Sequence, residues 1–418
     1  MITFQCAILR SSEAVFGRGK ESTIEFASFA VQIQSSTCDL YETGYSESMI
    51  PRAIQEELIQ CAAEYPAVTI LGPRQSGKTT LAKMVFPKHA YLSLEDPDVR
   101  RHAVEDPRGL LESAGSETIL DEIQRVPELL SYLQGKIDED RQPGRYILTG
   151  SHQPQVHQAI SQSLAGRTAV LELLPFTVSE VRRYQQHPKN AFEWIHLGFY
   201  PGLHENKLQS ARFFRSYMAT YIERDLHTLI QLKDLSLFET FLRLVAGRIG
   251  QLVNYASLAN DIGVSATTIK NWISILKASY ILYELPPWFA NIRKRLVKSP
   301  KLYFVDIGLA AWLLGLETPL QIERDPLRGS LHENLLIMEV VKRQLNSGRQ
   351  PRLSFFRDNH GNEVDLLVTS AGRSFTAVEI KSAATFHPDF VKGIDVFRQA
   401  AGEEVPVQAP SSVEHWQV

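Results

Sequence analysis

The sequence predicts an α/β fold: a parallel sheet with helices on both faces, then a helical region and a second α/β unit. Three observations carry this. Apolar runs of strand length alternate with helical patterns across residues 66–180, the rhythm of a parallel sheet covered on both sides. A glycine-rich turn, Gly72-Pro73-Arg74-Gln75-Ser76-Gly77-Lys78-Thr79, joins the first of those runs to a helix. Near the C-terminus an amphipathic helix precedes three short strand-like runs at 354–357, 363–368 and 376–381.

Residues 1–48 stand apart. They are rich in Ser and Thr without sustained periodicity, and read as a poorly ordered extension upstream of a natural start at Met49. Regular patterning begins at Pro51, placed to open a helix over about 51–65. Ala67-Val68-Thr69-Ile70-Leu71 then reads as a buried strand and Thr80–Val85 as the start of a helix. The turn between them fits G-x-x-x-x-G-K-S/T, the phosphate-binding loop of P-loop NTPases, in the strand–loop–helix setting that motif requires. Gly72 and Gly77 permit backbone angles closed to other residues, so successive N–H groups turn inward onto phosphate oxygens. The helix N-terminus adds its positive dipole end. Lys78 is expected on the β- and γ-phosphates and the Thr79 hydroxyl on Mg²⁺, with Thr80 closing the nucleotide-binding run from Gly72. A chance glycine turn beside a surface lysine would lack these flanks.

Thr118-Ile119-Leu120-Asp121-Glu122 supplies the second half of such a site. Asp121 is expected to bind Mg²⁺ and Glu122 to polarise the attacking water, because phosphoryl transfer depends on placing the nucleophile and offsetting charge. Two solvated acids at a strand end would read the same in isolation; their place beyond the loop separates the readings. A third strand, Tyr146-Ile147-Leu148-Thr149-Gly150-Ser151, offers Thr149 or Ser151 to sense the γ-phosphate, and Ser151 reads equally as a helix N-cap. In Leu164-Ala165-Gly166-Arg167, Arg167 is a candidate arginine finger, in cis or from a neighbour, or a surface arginine. No Asn-Lys-x-Asp guanine-reading motif is present, which favours ATP over GTP. Val170–Phe176 reads as the last strand, and Thr177 with Glu180 fits a capping box at the helix behind it.

Composition agrees. A chain of 418 residues bounds two or three domains, and 44% hydrophobic with 22% charged residues is ordinary for a globular protein. The net charge of −3 leaves any nucleic-acid contact to local patches. Cys6, Cys38 and Cys61 are unclustered, against a disulfide framework or zinc site. No apolar run reaches membrane-spanning length and no signal h-region opens the chain, so a cytoplasmic protein without membrane contact is the default expectation.

A long amphipathic helix is expected over 210–230, its Phe213, Phe214, Tyr217 and Tyr221 stripe reading as core. Tyr255–Ile262 and Ser265–Ile273, joined by Gly263-Val264, form a helix-turn-helix pattern, with Ser265 as N-cap. The strand-like Tyr280–Leu285 after it suggests a winged version. Two readings follow. One puts the second helix, with Thr267, Lys270 and Asn271 exposed, in a DNA major groove and Arg293, Lys294, Arg295, Lys298 and Lys301 on phosphates. The other is an interdomain lid or interaction module.

The last third holds a second candidate site. Leu331–Leu336 starts a helix carrying Glu333; Asp365 lies on one strand and Glu379-Ile380-Lys381 on the next, where alternation puts Glu379 and Lys381 on one face. Carboxylates so placed hold a divalent metal, and the lysine orients or activates a water, which is equipment for metal-dependent phosphodiester cleavage. Salt-bridged strand residues are the competing reading.

Taken together, Leu71–Thr80, Leu120-Asp121-Glu122-Ile123-Gln124, Leu148–Ser151, Leu164–Arg167, Lys301–Leu309 and Val378–Lys381 carry a resemblance. From Met49 to about Lys392 the chain resembles a prokaryotic family of uncharacterised AAA-type P-loop ATPases. In that family the ATPase module precedes a winged-helix region and a C-terminal domain of unknown function related to PD-(D/E)xK nucleases. The resemblance implies a P-loop NTPase fold over 49–205, a helical linker and winged-helix region over 206–300, and an α/β restriction-endonuclease-like domain over 301–418. It implies nucleotide roles for Lys78, Thr79, Asp121 and Glu122, and metal-site or catalytic roles for Glu333, Asp365, Glu379 and Lys381. Val364 stands where the nuclease motif carries Pro. The expected cofactors are ATP and Mg²⁺, with DNA and a protein partner or second copy as candidate partners.

Overall fold

The computed structural model describes residues 5–9, 50–151, 159–160, 162–220, 235–289, 299–369, 374–382, 390, 392–401 and 407–408. Tyr221 and the basic residues Arg293, Lys294, Arg295 and Lys298 lie outside the described residues. Strand β1 (Gln5–Leu9) pairs antiparallel with a strand far along the chain, so part of the segment expected to be a poorly ordered extension joins a sheet.

Helix α1 (Gln55–Glu64) precedes β2 (Ala67–Gly72), α2 (Lys78–Val85), β3 (Ala90–Ser93), α3 (Pro97–Glu105), α4 (Pro107–Ser113), β4 (Thr118–Asp121), α5 (Leu129–Glu139), β5 (Tyr146–Ser151) and β6 (Thr168–Glu172). The five strands form one parallel sheet in the order β3-β4-β5-β2-β6. Alternation along each strand divides two cores. Ala67, Leu71, Leu120 and Leu148 pack with Leu129, Leu130 and Leu133 of α5 on one face. Val68, Ile70, Ile119 and Ile147 pack with Leu58 of α1 and Leu81 of α2 on the other. Each such buried aliphatic side chain stabilises the fold by about 1.5–3 kcal/mol. The expected strands at 67, 118 and 146 are therefore present. The helix anticipated from Pro51 starts later, at Gln55, and β6 stops at Glu172.

Beyond β6, α6 (Val178–Val181) is capped as the sequence indicated: the Glu180 N–H donates to the Thr177 hydroxyl at 3.1 Å and the Thr177 N–H to the Glu180 carboxylate at 2.7 Å. Glu180 is fully buried and does more than cap. Arg52 donates to it at 3.0 Å, to the Ser76 carbonyl at 2.7 Å and to the Leu174 carbonyl at 2.7 Å. Burial pushes the Glu180 carboxyl up; the Arg52 guanidinium and the N–H groups of Ala53 and Thr177 outweigh it and hold it below its usual value.

A helical region follows: α7 (Ala191–Leu197), α8 (Pro201–Glu205), α9 (Ser210–Tyr217), α10 (Leu235–Ala246), α11 (Tyr255–Ile262) and α12 (Ala266–Ala278). Phe213, Phe214 and Tyr217 are buried as expected, while the described part of the helix anticipated to 230 is α9 with a wider turn at 218–220. Helices α11 and α12 meet at Gly263, whose φ of 80° is a left-handed cap, and the Thr268 N–H donates to the Ser265 hydroxyl at 3.0 Å. Strands β7 (Leu282–Leu285) and β8 (Lys301–Phe304) then pair antiparallel. This hairpin runs across the boundary expected at residue 300.

Helices α13 (Ile307–Leu313), α14 (Pro319–Arg324) and the long α15 (Arg328–Asn346) lead to β9 (Leu353–Arg357), β10 (Glu363–Thr369), β11 (Phe375–Lys381), α16 (Lys392–Ala401) and β12 (Val407–Gln408). The sheet order is β1-β11-β10-β9, with β12 beside β11. One apolar cluster runs from Phe176 through Trp194, Phe241, Trp272 and Tyr303 to Leu335 and Ile380, so the helical region and the C-terminal sheet share a core. Among the described residues no helix is long and apolar enough to cross a membrane.

Replacing Arg52 with Ala leaves the Glu180 carboxylate buried without its partner, which costs about 3–5 kcal/mol. Urea unfolding of Arg52→Ala is expected to show that loss; a midpoint within error of wild type would contradict it.

Candidate functional site

The loop from Gly72 to Lys78 leaves the C-terminal end of β2, where β5 lies between β2 and β4. That order brings Thr149, at the end of β5, between the loop and Asp121 of β4. Gly72 is required by close approach, since a Cβ there would lie 2.1 Å from the Leu173 carbonyl oxygen. Gly77 and Gln75 both have left-handed backbone, at φ 91° and 61°, strained for a glutamine and the geometry that turns N–H groups inward.

The Lys78 ammonium is buried and donates to the Gly72 carbonyl at 3.1 Å and the Pro73 carbonyl at 2.8 Å. Burial lowers its pKa to about 8, against the opposing pull of Glu122 and Asp121. Thr79 donates to both Asp121 oxygens, at 2.9 and 3.1 Å. Thr149 also donates to Asp121, and the Glu122 N–H reaches the Thr149 hydroxyl at 3.4 Å. Glu122 is itself left-handed, at φ 59°. The structure thus brings Lys78, Thr79, Asp121, Glu122 and Thr149 together. Arg74 is partly buried beside Lys78, Ser76 is buried, and Gln75 and Thr80 are exposed.

Three participants were missed by sequence reading. Tyr91, on β3, donates to Asp121 at 2.8 Å. Gln124 donates to the Glu122 carboxylate while its own carbonyl accepts from the Ser151 N–H at 3.2 Å. Arg52 braces the loop through Ser76. Gln124 lies within the motif string and was readable by its spacing; Tyr91 and Arg52 carry no local signal.

Arg167 stands apart from the nucleotide loop within this chain. It forms a two-pronged ion pair with Asp138, at 2.9 and 2.7 Å, and its carbonyl accepts from the Ala67 N–H at 3.2 Å. Ala67 begins β2 whereas the loop follows its end, so Arg167 lies on the opposite edge of the sheet, about 17–20 Å away at 3.3 Å per residue. A finger acting in cis is excluded by this placement.

The second candidate set does assemble. Glu333 on α15, Asp365 on β10, and Glu379 and Lys381 on β11 converge. A register shift between Val364 and Leu367 interrupts the pairing of β10 with β9 at Asp365. Lys381 donates to Asp365 at 3.0 Å and to Glu379 at 2.8 Å, and the Ile380 N–H donates to Asp365 at 2.8 Å. Lys301 donates to Glu333 at 3.0 Å and pairs with Glu363 at 2.5 Å; Tyr303 donates to Glu333 at 2.5 Å. Lys301, expected on DNA phosphates, is instead almost fully buried here. Burial and the neighbouring Asp365 charge push the Glu379 carboxyl up to about 9, against the pull of Lys381. Gly393 closes the cluster, since a Cβ there would meet Glu379 Oε1 at 2.7 Å. Among the described residues no group of three or more His, Cys, Asp or Glu is disposed to hold a metal ion. In this arrangement ammonium groups stand where the expected ion would, and the donor set does not fit a metal.

The nucleotide site and its sheet define an AAA-type P-loop ATPase domain. Residues 64–182 match the AAA domain family, 188–320 a domain of unknown function (DUF8612) and 328–411 another (DUF4143). Uncharacterized protein Rv2008c of Mycobacterium tuberculosis and uncharacterized protein Mb2031c of Mycobacterium bovis are each 32% identical over 325 residues, covering 77% of this chain and 71% of their own length. The chain belongs to the family of these mycobacterial proteins. The Walker-type ATPase PABY2304 of Pyrococcus abyssi is similar over 66% of this chain and 99% of its own, at 18% identity and a TM-score of 0.40. DnaA from Aquifex aeolicus is similar over 54% and 85%, at 13% identity and a TM-score of 0.28. Neither likeness is close enough to bear on function.

Phosphates raise the pKa of a lysine they contact, so above pH 8 binding must take up a proton at Lys78. ATP affinity is expected to be flat below about pH 7 and to fall by up to about tenfold per unit above 8. Calorimetric titration across that range tests this; affinity unchanged through pH 9 would contradict it.

Proposed function

We propose that the chain is a Mg²⁺-dependent ATPase whose nucleotide state is passed to its C-terminal domain, with DNA as the candidate partner. The observation that carries the reading is a buried polar chain. Ser76, in the phosphate-binding loop, is held by Arg52, and Arg52 by Glu180. Beside Glu180, the Val178 N–H donates to Glu339 at 3.0 Å and Lys342 donates to the Phe176 carbonyl at 2.8 Å. Glu339 and Lys342 lie on α15, which also carries Glu333 of the C-terminal cluster, about 9 Å further along at 1.5 Å per residue. A shift of the loop around phosphate therefore has a stiff route to that cluster.

At the nucleotide site the residues fit Mg²⁺: the Thr79 hydroxyl and Asp121 carboxylate lie together and Thr149 and Tyr91 orient the carboxylate. The ion, bound with ATP, would offset charge on the phosphates. Lys78 exchanges its carbonyl partners for phosphate oxygens, and Glu122, fixed by Gln124, orients and polarises the attacking water.

For the C-terminal domain two readings remain distinct. As a nuclease-like domain it requires Lys301 and Lys381 to withdraw from the carboxylates. As a non-catalytic binding or scaffolding module it works as described, and the engagement of both ammonium groups favours this second reading. Thr267, Lys270 and Asn271, exposed on α12, support DNA contact.

Lys78→Ala is expected to abolish ATP binding. Glu122→Gln is expected to retain binding while turnover falls by about 10²–10⁴. Undiminished turnover in Glu122→Gln would remove it from the mechanism, and retained binding in Lys78→Ala would overturn the site.

A further inference from the structure

Resting on the ATP-site reading, we propose that Glu205 is the residue that reads the nucleotide base, by accepting a hydrogen bond from the exocyclic amino group of adenine. The triphosphate is anchored at the N-terminus of α2, so sugar and base must lie within a ribose length of Gly77. A solvent-open cleft begins there, lined by Ile50, Thr80, Met84, Phe176, Pro201 and Glu205 among others. Thr80 and Met84 are one helical turn apart and share a face of α2, next to the face that sends Thr79 to Asp121.

The lining is chemically lopsided. Ile50, Met84, Phe176 and Pro201 offer apolar walls, which suit the faces of a flat ring. A purine slid between such walls still has a polar edge that must find partners, because an unmet donor forfeits its bonds to water. Arg52 also borders the cavity, but its guanidinium is committed to Glu180, Ser76 and Leu174. Glu205 closes α8, exposed at the mouth, with no hydrogen bond among the described residues. Its carboxylate is acceptor-only when ionised. It therefore matches a ring edge that presents an amino group, and it loses that bond with a purine lacking one.

The clean probe is purine riboside triphosphate, which keeps the ring and triphosphate and lacks only the 6-amino group. Competition binding would compare it with ATP on wild type, Glu205→Ala and Glu205→Gln. Wild type is expected to prefer ATP by ~10-fold, the gain of one charge-assisted hydrogen bond. Glu205→Ala should weaken ATP by about that factor and leave the analogue within about twofold, erasing the preference. Glu205→Gln, whose amide oxygen still accepts, should recover part of it. An undiminished preference in Glu205→Ala, with ATP still bound, would overturn the role of Glu205 alone. Failure of wild type to bind either nucleotide would overturn the ATP site and this inference with it. Glu205 is exposed, so unchanged thermal melting of the variants confirms that folding is not the cause.

Discussion

The ion pair between Arg52 and Glu180 is the contact on which the rest of the molecule depends. Both side chains are buried, so each would be unaffordable alone in a low-dielectric interior. Together they satisfy one another and the backbone around them. Arg52 reaches the loop carbonyl of Ser76 and the Leu174 carbonyl after β6, while Glu180 accepts from Ala53, Thr177 and Arg52. The segment before α1, the phosphate-binding loop and the entry to the helical region are thereby fixed against each other by one cation and one anion. The Phe176 ring lies under the guanidinium at 4.8 Å and completes the shell.

Around that pair two polar clusters differ in kind. At the nucleotide site the hydroxyls of Thr79, Tyr91 and Thr149 converge on a single carboxylate, and the buried Lys78 ammonium rests on backbone carbonyls. That site has a cation held by weak partners, ready for an anion. In the C-terminal cluster each cation already has carboxylates: Lys301 with Glu333 and Glu363, Lys381 with Asp365 and Glu379. The first leaves its cation on neutral partners; the second pairs each cation with carboxylates. Helix α15 carries Glu333 of the second cluster and reaches the Phe176–Val178 segment beside Glu180, with Lys342 also 4.1 Å from the Phe199 ring.

What could be read from the sequence was what local chemistry encodes. The loop between β2 and α2 carries its function in consecutive residues, as do the strand ending in Asp121 and Glu122 and the capping box at Thr177. The pairing of Asp365 with Glu379 and Lys381 followed from strand alternation. Contacts made across the fold left no such mark. Arg52 meets Glu180 from 128 residues away, and Tyr91 sits on a short strand with two exposed residues that shows no buried-strand pattern. Lys301 was placed with its basic neighbours because sequence shows charge and not depth; β8 turns it inward to the carboxylates of Glu333, Glu363 and Asp365. Arg167 lies at the end of β2 away from the loop, a placement with no local mark, since nothing local tells which end of a sheet a residue occupies.

We infer that the phosphate-binding loop and the C-terminal cluster are coupled through α15. Amide hydrogen exchange on Glu122→Gln, with and without ATP, tests it most directly, repeated with Lys342→Met added. With this coupling, ATP is expected to change exchange in residues 328–346 and 375–381 as well as in the loop, and Lys342→Met to confine the change to the loop. Exchange altered by ATP only around residues 72–80 and 118–122 in the parent protein would contradict it.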